Sequence, residues 1–269
     1  MNAPAPISII IGSVRRFVEF IGGVGNLLGE TIKATGKGLF SKRGRRLGWR
    51  NLFGQMDRVG IQSIPIVSLV LFCIGAILAL QIAPILKEYG MIPKVANIIA
   101  IAIYRELGPL MSAIVLTGFA GASIAAEMGT TVVSEEIEAL QAQAIDPIRF
   151  LVVPRVLATS LMLVCVSVVG DLMGTLGGLA VGQSILNIGY RQYITHTFIA
   201  LHLRDFITGL VKAGVFGIVI SSFACYLGLG VKGGAQGVGK ATTQTVVLTI
   251  VSLIAIDLLF NTVFYFLSF

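Results

Sequence analysis

Apolar residues run along this chain in long stretches that polar positions interrupt only at wide intervals. Val59 to Leu86 and Leu107 to Ala126 hold no charged residue. Val156 to Tyr190 carries one, Asp171; Ala213 to Val231 follows directly on Lys212; Ala241 to Phe269 carries only Asp257. A helix needs about 20 mostly apolar residues to cross the hydrocarbon core of a bilayer. The pattern therefore predicts an all-α integral membrane protein with five transmembrane helices, over 59–86, 95–126, 156–186, 206–231 and 241–267, the second taking in Arg105 and Glu106. Ahead of them Ile10, Val14, Phe17, Ile21, Val24 and Leu28 recur at steps of four and three, a single apolar stripe with Arg15, Arg16, Glu19 and Asn26 off it. Gly22, Gly23 and Gly25 interrupt the stripe, and the basic run Lys42, Arg43, Arg45, Arg46 follows it. Residues 1–58 thus read as an amphipathic segment lying in the membrane interface, and 59–269 as the transmembrane domain.

Composition sharpens this picture. Of 269 residues 55% are hydrophobic and 12% charged, with a mean hydropathy of +0.91, whereas soluble domains carry about 25% charged residues. A free cytosolic enzyme, a disordered regulator and a secreted disulfide scaffold are excluded. The net charge of +7 resides in residues 1–58, with ten Lys or Arg against three acidic residues; the remaining 211 residues hold ten of each sign. Basicity confined to one segment fits anionic lipid headgroups, not nucleic acid. Fourteen Lys and Arg fall on the N-terminal side of the five spans and four on the other, which predicts a cytoplasmic N-terminus and a C-terminus on the outer side. Cys73, Cys165 and Cys225 each sit inside an apolar run without metal-ligand companions and read as small packing residues. The first ten residues lack a basic n-region, so no cleaved signal peptide is expected.

Chemistry is sparse. Gly234-Ala-Gln-Gly-Val-Gly239-Lys240-Ala241 nearly spells a phosphate-binding loop, but Ala241 stands where the Mg²⁺-holding hydroxyl belongs and no strand precedes it. No cofactor of its own is expected; ATP and Mg²⁺ would belong to a partner chain. The segment from Ser134 through Glu135, Glu136, Glu138 and Leu140 to Asp146 and Pro147 is too polar to span. It reads as a cytoplasmic surface helix over 134–147, started by Ser134, stopped by Pro147 and shaped for docking. Arg105, Glu106, Asp171, Lys212 and Asp257 lie within spans, where facing lipid would cost about 2.5–3.5 kcal/mol each. They should face the bundle interior or water, as a polar patch in a transport path or as structural pairs such as Lys212 with Asp257. Arg105 and Glu106 diverge by about 100° on a helix and need partners on other helices. His196 and His202 fall in the outer loop after the third span and read as interfacial side chains. Gly170/Gly174 and Gly178/Gly182 are small-xxx-small patterns that let helices approach closely.

Arg105-Glu-Leu-Gly-Pro109, Gly118-Phe-Ala-Gly-Ala122, Ala126-Glu-Met-Gly129, Glu136-Ile-Glu-Ala-Leu140, Ile145-Asp-Pro147 and Val153-Pro-Arg155 occur in that order. With Gln55-Met-Asp-Arg-Val-Gly60 and Gly237-Val-Gly-Lys-Ala-Thr-Thr243, the series resembles the MlaE/YrbE-type permease family of ABC transporters from about residue 50 onward. The resemblance implies an enzymatically inert permease subunit of the bacterial inner membrane. It would act as a homodimer with a cytoplasmic ABC ATPase, a STAS-domain protein and a periplasmic MCE-domain protein, moving phospholipid in support of outer-membrane asymmetry. The acidic segment would be the ATPase-coupling helix, with Ala144 where a distantly similar importer loop has glycine. The lipid path would be lined by Leu78, Ile85, Leu86, Tyr89, Glu106 and Leu107, with Arg105, Lys212 and Asp257 at further polar positions. The alternatives are an ion-coupled secondary transporter relaying through those charges, and a membrane anchor for an MCE-protein assembly that moves nothing.

Overall fold

The computed structural model describes the backbone of residues 6–39 and 45–266 and the side chains of 19–35 and 51–266. The Lys42–Arg46 side chains and those of Ile10, Val14 and Phe17 lie outside these. Among the described residues every regular element is helical. Helix α1 (Pro6–Leu39) and α2 (Arg45–Val59) precede α3 (Ile64–Glu88); α4 (Val95–Ala102), α5 (Gly108–Leu116) and α6 (Ala122–Val133) are stacked into one long rod. Next come the short α7 (Glu136–Ala142), then α8 (Val153–Ser184), α9 (Tyr190–Ala200), α10 (Leu203–Leu229) and α11 (Gly234–Phe266).

Among the described residues five helical stretches are long and apolar enough to cross a membrane: 51–88, 92–133, 148–184, 203–229 and 234–266. Each predicted span overlaps one of them, the last three ending one or two residues beyond it. All five begin earlier than the charge pattern indicates, because helices continue past the hydrocarbon boundary wherever their ends remain packed. The Gly-rich stretch 234–239, expected as a loop, forms the first turns of α11. Gly233 and Gly234, at φ of +88° and +68°, make the turn instead.

Helix α8 is the centre of the bundle, packed on α3 along one side and on α10 along the other, while α10 and α11 also cover α6. The α3–α8 crossing is close because a Cβ on Gly75 would fall 1.8 Å from the Gly174 carbonyl oxygen, and one on Gly177 would fall 2.0 Å from that of Phe72. Gly178 and Gly182 instead accommodate the ring of Tyr193 on α9. Burial pushes the Tyr193 phenol up from its ordinary value. Helix α9 occupies the stretch read from sequence as an outer loop; Tyr193, Thr197 and Ala200 form its buried face. In α3, Val67, Leu71, Gly75, Ala79 and Ala83 face inward, while Leu69, Ile77, Leu80, Ile85 and Tyr89 remain exposed, as do Val247, Val251, Leu258 and Leu259 on α11. The first and last spans therefore present the broadest outward apolar surfaces.

Helix α1 is unbroken by its glycines. Gly23 is where the ring of Tyr226 lies against the backbone, and Phe20 stacks edge-on to Phe223 and Tyr226 of α10. Val24, Leu27 and Thr31 are buried, whereas Ile21 is exposed. The inward face is thus turned by about one position from the apolar stripe.

The long rod at 92–133 is interrupted by two π-helical turns, Ile103–Leu107 and Thr117–Gly121, and a third, Ile148–Val152, opens the next span. Pro109 and Pro154 have no N–H to return to the residue four before them, so the ladder widens just ahead of each. At the second turn the Thr117 hydroxyl donates to the Ala113 carbonyl at 2.8 Å, competing with the backbone ladder.

Candidate functional site

The π turn at Ile103–Leu107 directs Glu106 toward α10 and α11. Lys212 Nζ donates to Glu106 Oε2 at 2.7 Å and to Asn261 Oδ1 at 2.7 Å, and lies 2.9 Å from Asp257 Oδ1. Asn261 Nδ2 donates to Glu106 Oε1 at 2.8 Å and reaches Asp257 Oδ2 at 3.4 Å. Lys212 thus donates hydrogen bonds to Glu106 and Asn261, while Asp257 Oδ1 meets the ammonium as an ion pair without a hydrogen bond. The Lys212 side chain is 0% exposed, that of Asp257 8% and that of Glu106 30%, so Glu106 is the charged member that opens outward. With both carboxylates ionised the cluster carries one net negative charge inside a span bundle, tolerable only because each charge has a partner.

The charges expected to need partners on other helices find them there. Arg105 Nη1 lies 3.7 Å from Asp205 Oδ1 at the start of α10, and Asp205 Oδ2 also accepts from the His202 N–H at 3.3 Å. Both Arg105 and Glu106 are therefore tied to α10, but at separate places. Asp171 is not part of the cluster. It is buried in α8, and a Cβ on Gly108 would fall 1.6 Å from its Oδ1. Of the expected apolar path residues, Leu78 and Leu86 are half-buried against the core shared by α3, α4, α8 and α9. Ile85 and Tyr89 are 59% and 71% exposed, and Leu107 is half-buried in the π turn. Within one chain the polar group is assembled, and the apolar side chains of α3 point partly away from it.

Asn261 escapes a reading based on charge because it carries none. Its position four residues after Asp257 on one helix was the available signal. A second group missed by that reading is Arg58, Glu127 and Arg155, brought together from α2, α6 and α8. Arg58 Nη1 bonds Glu127 Oε1, and Arg155 Nη2 bonds Glu127 Oε2 at 3.1 Å. All three belong to quoted motif pieces, yet nothing in their spacing shows that they meet.

At the end of α6 the acidic segment forms α7 over Glu136–Ala142, half the length expected. Ser134 does not start it: its hydroxyl donates back to the Thr130 carbonyl at 3.0 Å and closes α6. Glu135 makes the turn at φ +59°. Pro147 does not stop it either, since Asp146 Oδ1 accepts from the Ile148 N–H at 3.0 Å and the Asp146-Pro147 pair opens the following span. None of the α7 residues, Glu136, Glu138 and Leu140 among them, is buried. Ala144 takes φ +57°, a left-handed conformation that costs a residue with a Cβ about 1–2 kcal/mol. Ala144→Gly is expected to hold or raise the Tm of the purified protein, offset by glycine's greater unfolded-state freedom; a lowered Tm would contradict the strained turn.

A probable ABC transporter permease protein of Rickettsia typhi is 42% identical over 193 residues, 72% of this chain and 74% of that protein. One from Synechocystis is 34% identical over 208 residues, covering 77% and 79%. The chloroplastic protein trigalactosyldiacylglycerol 1 of Arabidopsis thaliana is 30% identical over 220 residues, 82% of this chain and 63% of its own length. Residues 52–263, a stretch that covers nearly all of the first and fifth spans, the whole of the three between them, the Glu106–Lys212–Asp257 cluster and α7, match the permease MlaE family, and the chain belongs to that family of multi-pass membrane permeases.

Proposed function

We infer that this permease moves phospholipid through a path into which Glu106 opens, driven by an ATPase that docks on α7. The observation that carries the reading is the combination of a part-exposed Glu106 with a fully buried Lys212 inside the membrane. A polar group presented from within a span meets the needs of an amphiphile's head, while the outward apolar face of α3, with Ile85 and Tyr89, accepts acyl chains. The Arabidopsis relative named for a glycolipid supports a lipid substrate.

The basic N-terminal segment supports an orientation in a bacterial inner membrane with α1 and α7 on the cytoplasmic side and the C-terminus in the periplasm. The broad outward apolar faces of α3 and α11 suit a second copy of the chain, which would complete the path between two subunits. A STAS-domain protein on the ATPase side and an MCE-domain protein on the periplasmic side would complete the assembly, in support of outer-membrane lipid asymmetry. Lys212 and Asn261 hold Glu106 in place, with Asp257 behind them as the second counter-ion of Lys212; Arg105 stands apart with Asp205.

Mass spectrometry of lipid retained by the purified protein tests the path. Wild type is expected to keep phospholipid through detergent exchange, and Glu106→Leu to lose most of it while remaining folded. Equal lipid in both would remove Glu106 from the path. Transport in vesicles that persists without any ATPase and collapses with the proton gradient would replace this reading by an ion-coupled carrier.

A further inference from the structure

We propose that Arg58, Glu127 and Arg155 form a second site, which binds the phosphate group of an anionic phospholipid in the leaflet on the α1 side. The idea does not depend on the transport reading, since the group lies toward the opposite end of the spans from Glu106. A cavity of about 440 Å³ separates α2 from the start of the third span, and Asn51, Gln55, Arg58, Phe150 and Arg155 are among its walls. A smaller hollow of about 120 Å³ shares Gln55 and Arg58 and reaches Glu127.

Two arginines here share a single carboxylate, leaving one net positive charge. Arg155 is only 8% exposed, with Nη1 donating to the Leu151 carbonyl at 2.8 Å and Nη2 to Glu127, yet its Nε has no hydrogen-bond partner among the described residues. A buried guanidinium with an unused donor on the wall of a cavity is unsatisfied as it stands. Arg58, with 57% of its side chain exposed, can swing from Glu127 to a ligand without unfolding anything. The amides of Asn51 and Gln55 add neutral donors. An anion with several acceptor oxygens satisfies this set, and a phosphate does so through paired guanidinium bonds.

Depth identifies where the phosphate comes from. The span 148–184 has 37 residues, about 55 Å of helix, against about 40–45 Å for a bilayer with its headgroups. All three charged residues lie about two turns in from the same ends of their spans, which places them level with lipid phosphates and not in the hydrocarbon. Phe150 beside them lines the cavity wall where glycerol and the upper acyl chain would rest.

The test is titration of the full-length protein in micelles with short-chain phosphatidylglycerol, phosphatidylcholine or inorganic phosphate, in wild type and in a Glu106→Leu background. Phosphatidylglycerol is expected to bind in both backgrounds. Arg58→Gln should weaken it about tenfold, and Glu127→Gln, which frees both arginines, should tighten it severalfold. That opposite pair of signs distinguishes a ligand site from a structural salt bridge, whose loss would lower affinity in either variant. Inorganic phosphate matching the lipid's affinity would keep the phosphate chemistry and assign a soluble ligand. Phosphatidylglycerol binding that is unchanged by Arg58→Gln, Gln55→Leu and Glu127→Gln overturns the site, and leaves the transport reading standing.

Discussion

Lys212→Met is expected to be the most damaging single substitution in the membrane-embedded part of this protein. Methionine is similar in length and apolar, so the bundle keeps its volume, but Glu106 Oε2 and Asp257 Oδ1 lose the cation that each meets within 3 Å. Removing one partner of a buried ion pair costs about 3–5 kcal/mol, and here two carboxylates are left facing one another. Size-exclusion chromatography after detergent extraction should show little monodisperse protein. Neutralising the acids as well, in Lys212→Met with Glu106→Gln and Asp257→Asn, should restore much of the folded protein but not lipid retention. The two results separate the charge balance that the fold requires from the polar head contact that the proposed lipid path requires. A stable Lys212→Met single variant would mean that the cluster is better hydrated than its burial indicates.

Leu140→Asp is expected to have the opposite profile, with normal folding and complete loss of ATP-driven transport. Helix α7 packs chiefly on α6, and none of its residues is buried. A polar substitution there should alter stability by no more than about 0.5 kcal/mol. Leu140 is, with Ile137, one of the two half-buried apolar residues of α7; it has the character of an anchor, and truncation of such residues costs about 2 kcal/mol or more of binding. Glu138→Lys, exposed on the same helix, should weaken docking less and in a salt-dependent way. Co-purification with the ATPase reads both variants. Wild-type capture of the ATPase by Leu140→Asp would remove α7 from the interface.

These expectations draw on features that differ in how far the linear pattern reveals them. The spans are legible because a helix exposed to lipid must be apolar over its whole length, so that composition alone marks it. The need of Arg105 and Glu106 for partners on other helices is equally legible, since adjacent residues on a helix cannot face one another. The inward face of α1 is not, because Phe20 and Gly23 are fixed by Phe223 and Tyr226 more than two hundred positions away. Nor is α9, whose buried Tyr193, Thr197 and Ala200 differ too little in hydropathy from their neighbours to show a periodicity.

By itself the sequence determined that this chain lives in a membrane, how many times it crosses, and which few residues carry charge inside. Those properties follow from one-dimensional rules about length, hydropathy and the cost of a buried ion. Which charge meets which was decided only by tertiary structure. The Glu106–Lys212 contact joins residues 106 positions apart, and the Asn261–Glu106 contact 155. The π turns that aim Glu106 and open the third span were decided at the same level. In lipid no hydrophobic drive sorts one helix face from another, so the packing of glycines against backbones and of each ion against its counter-ion sets the arrangement, and these are properties of pairs that no single position encodes.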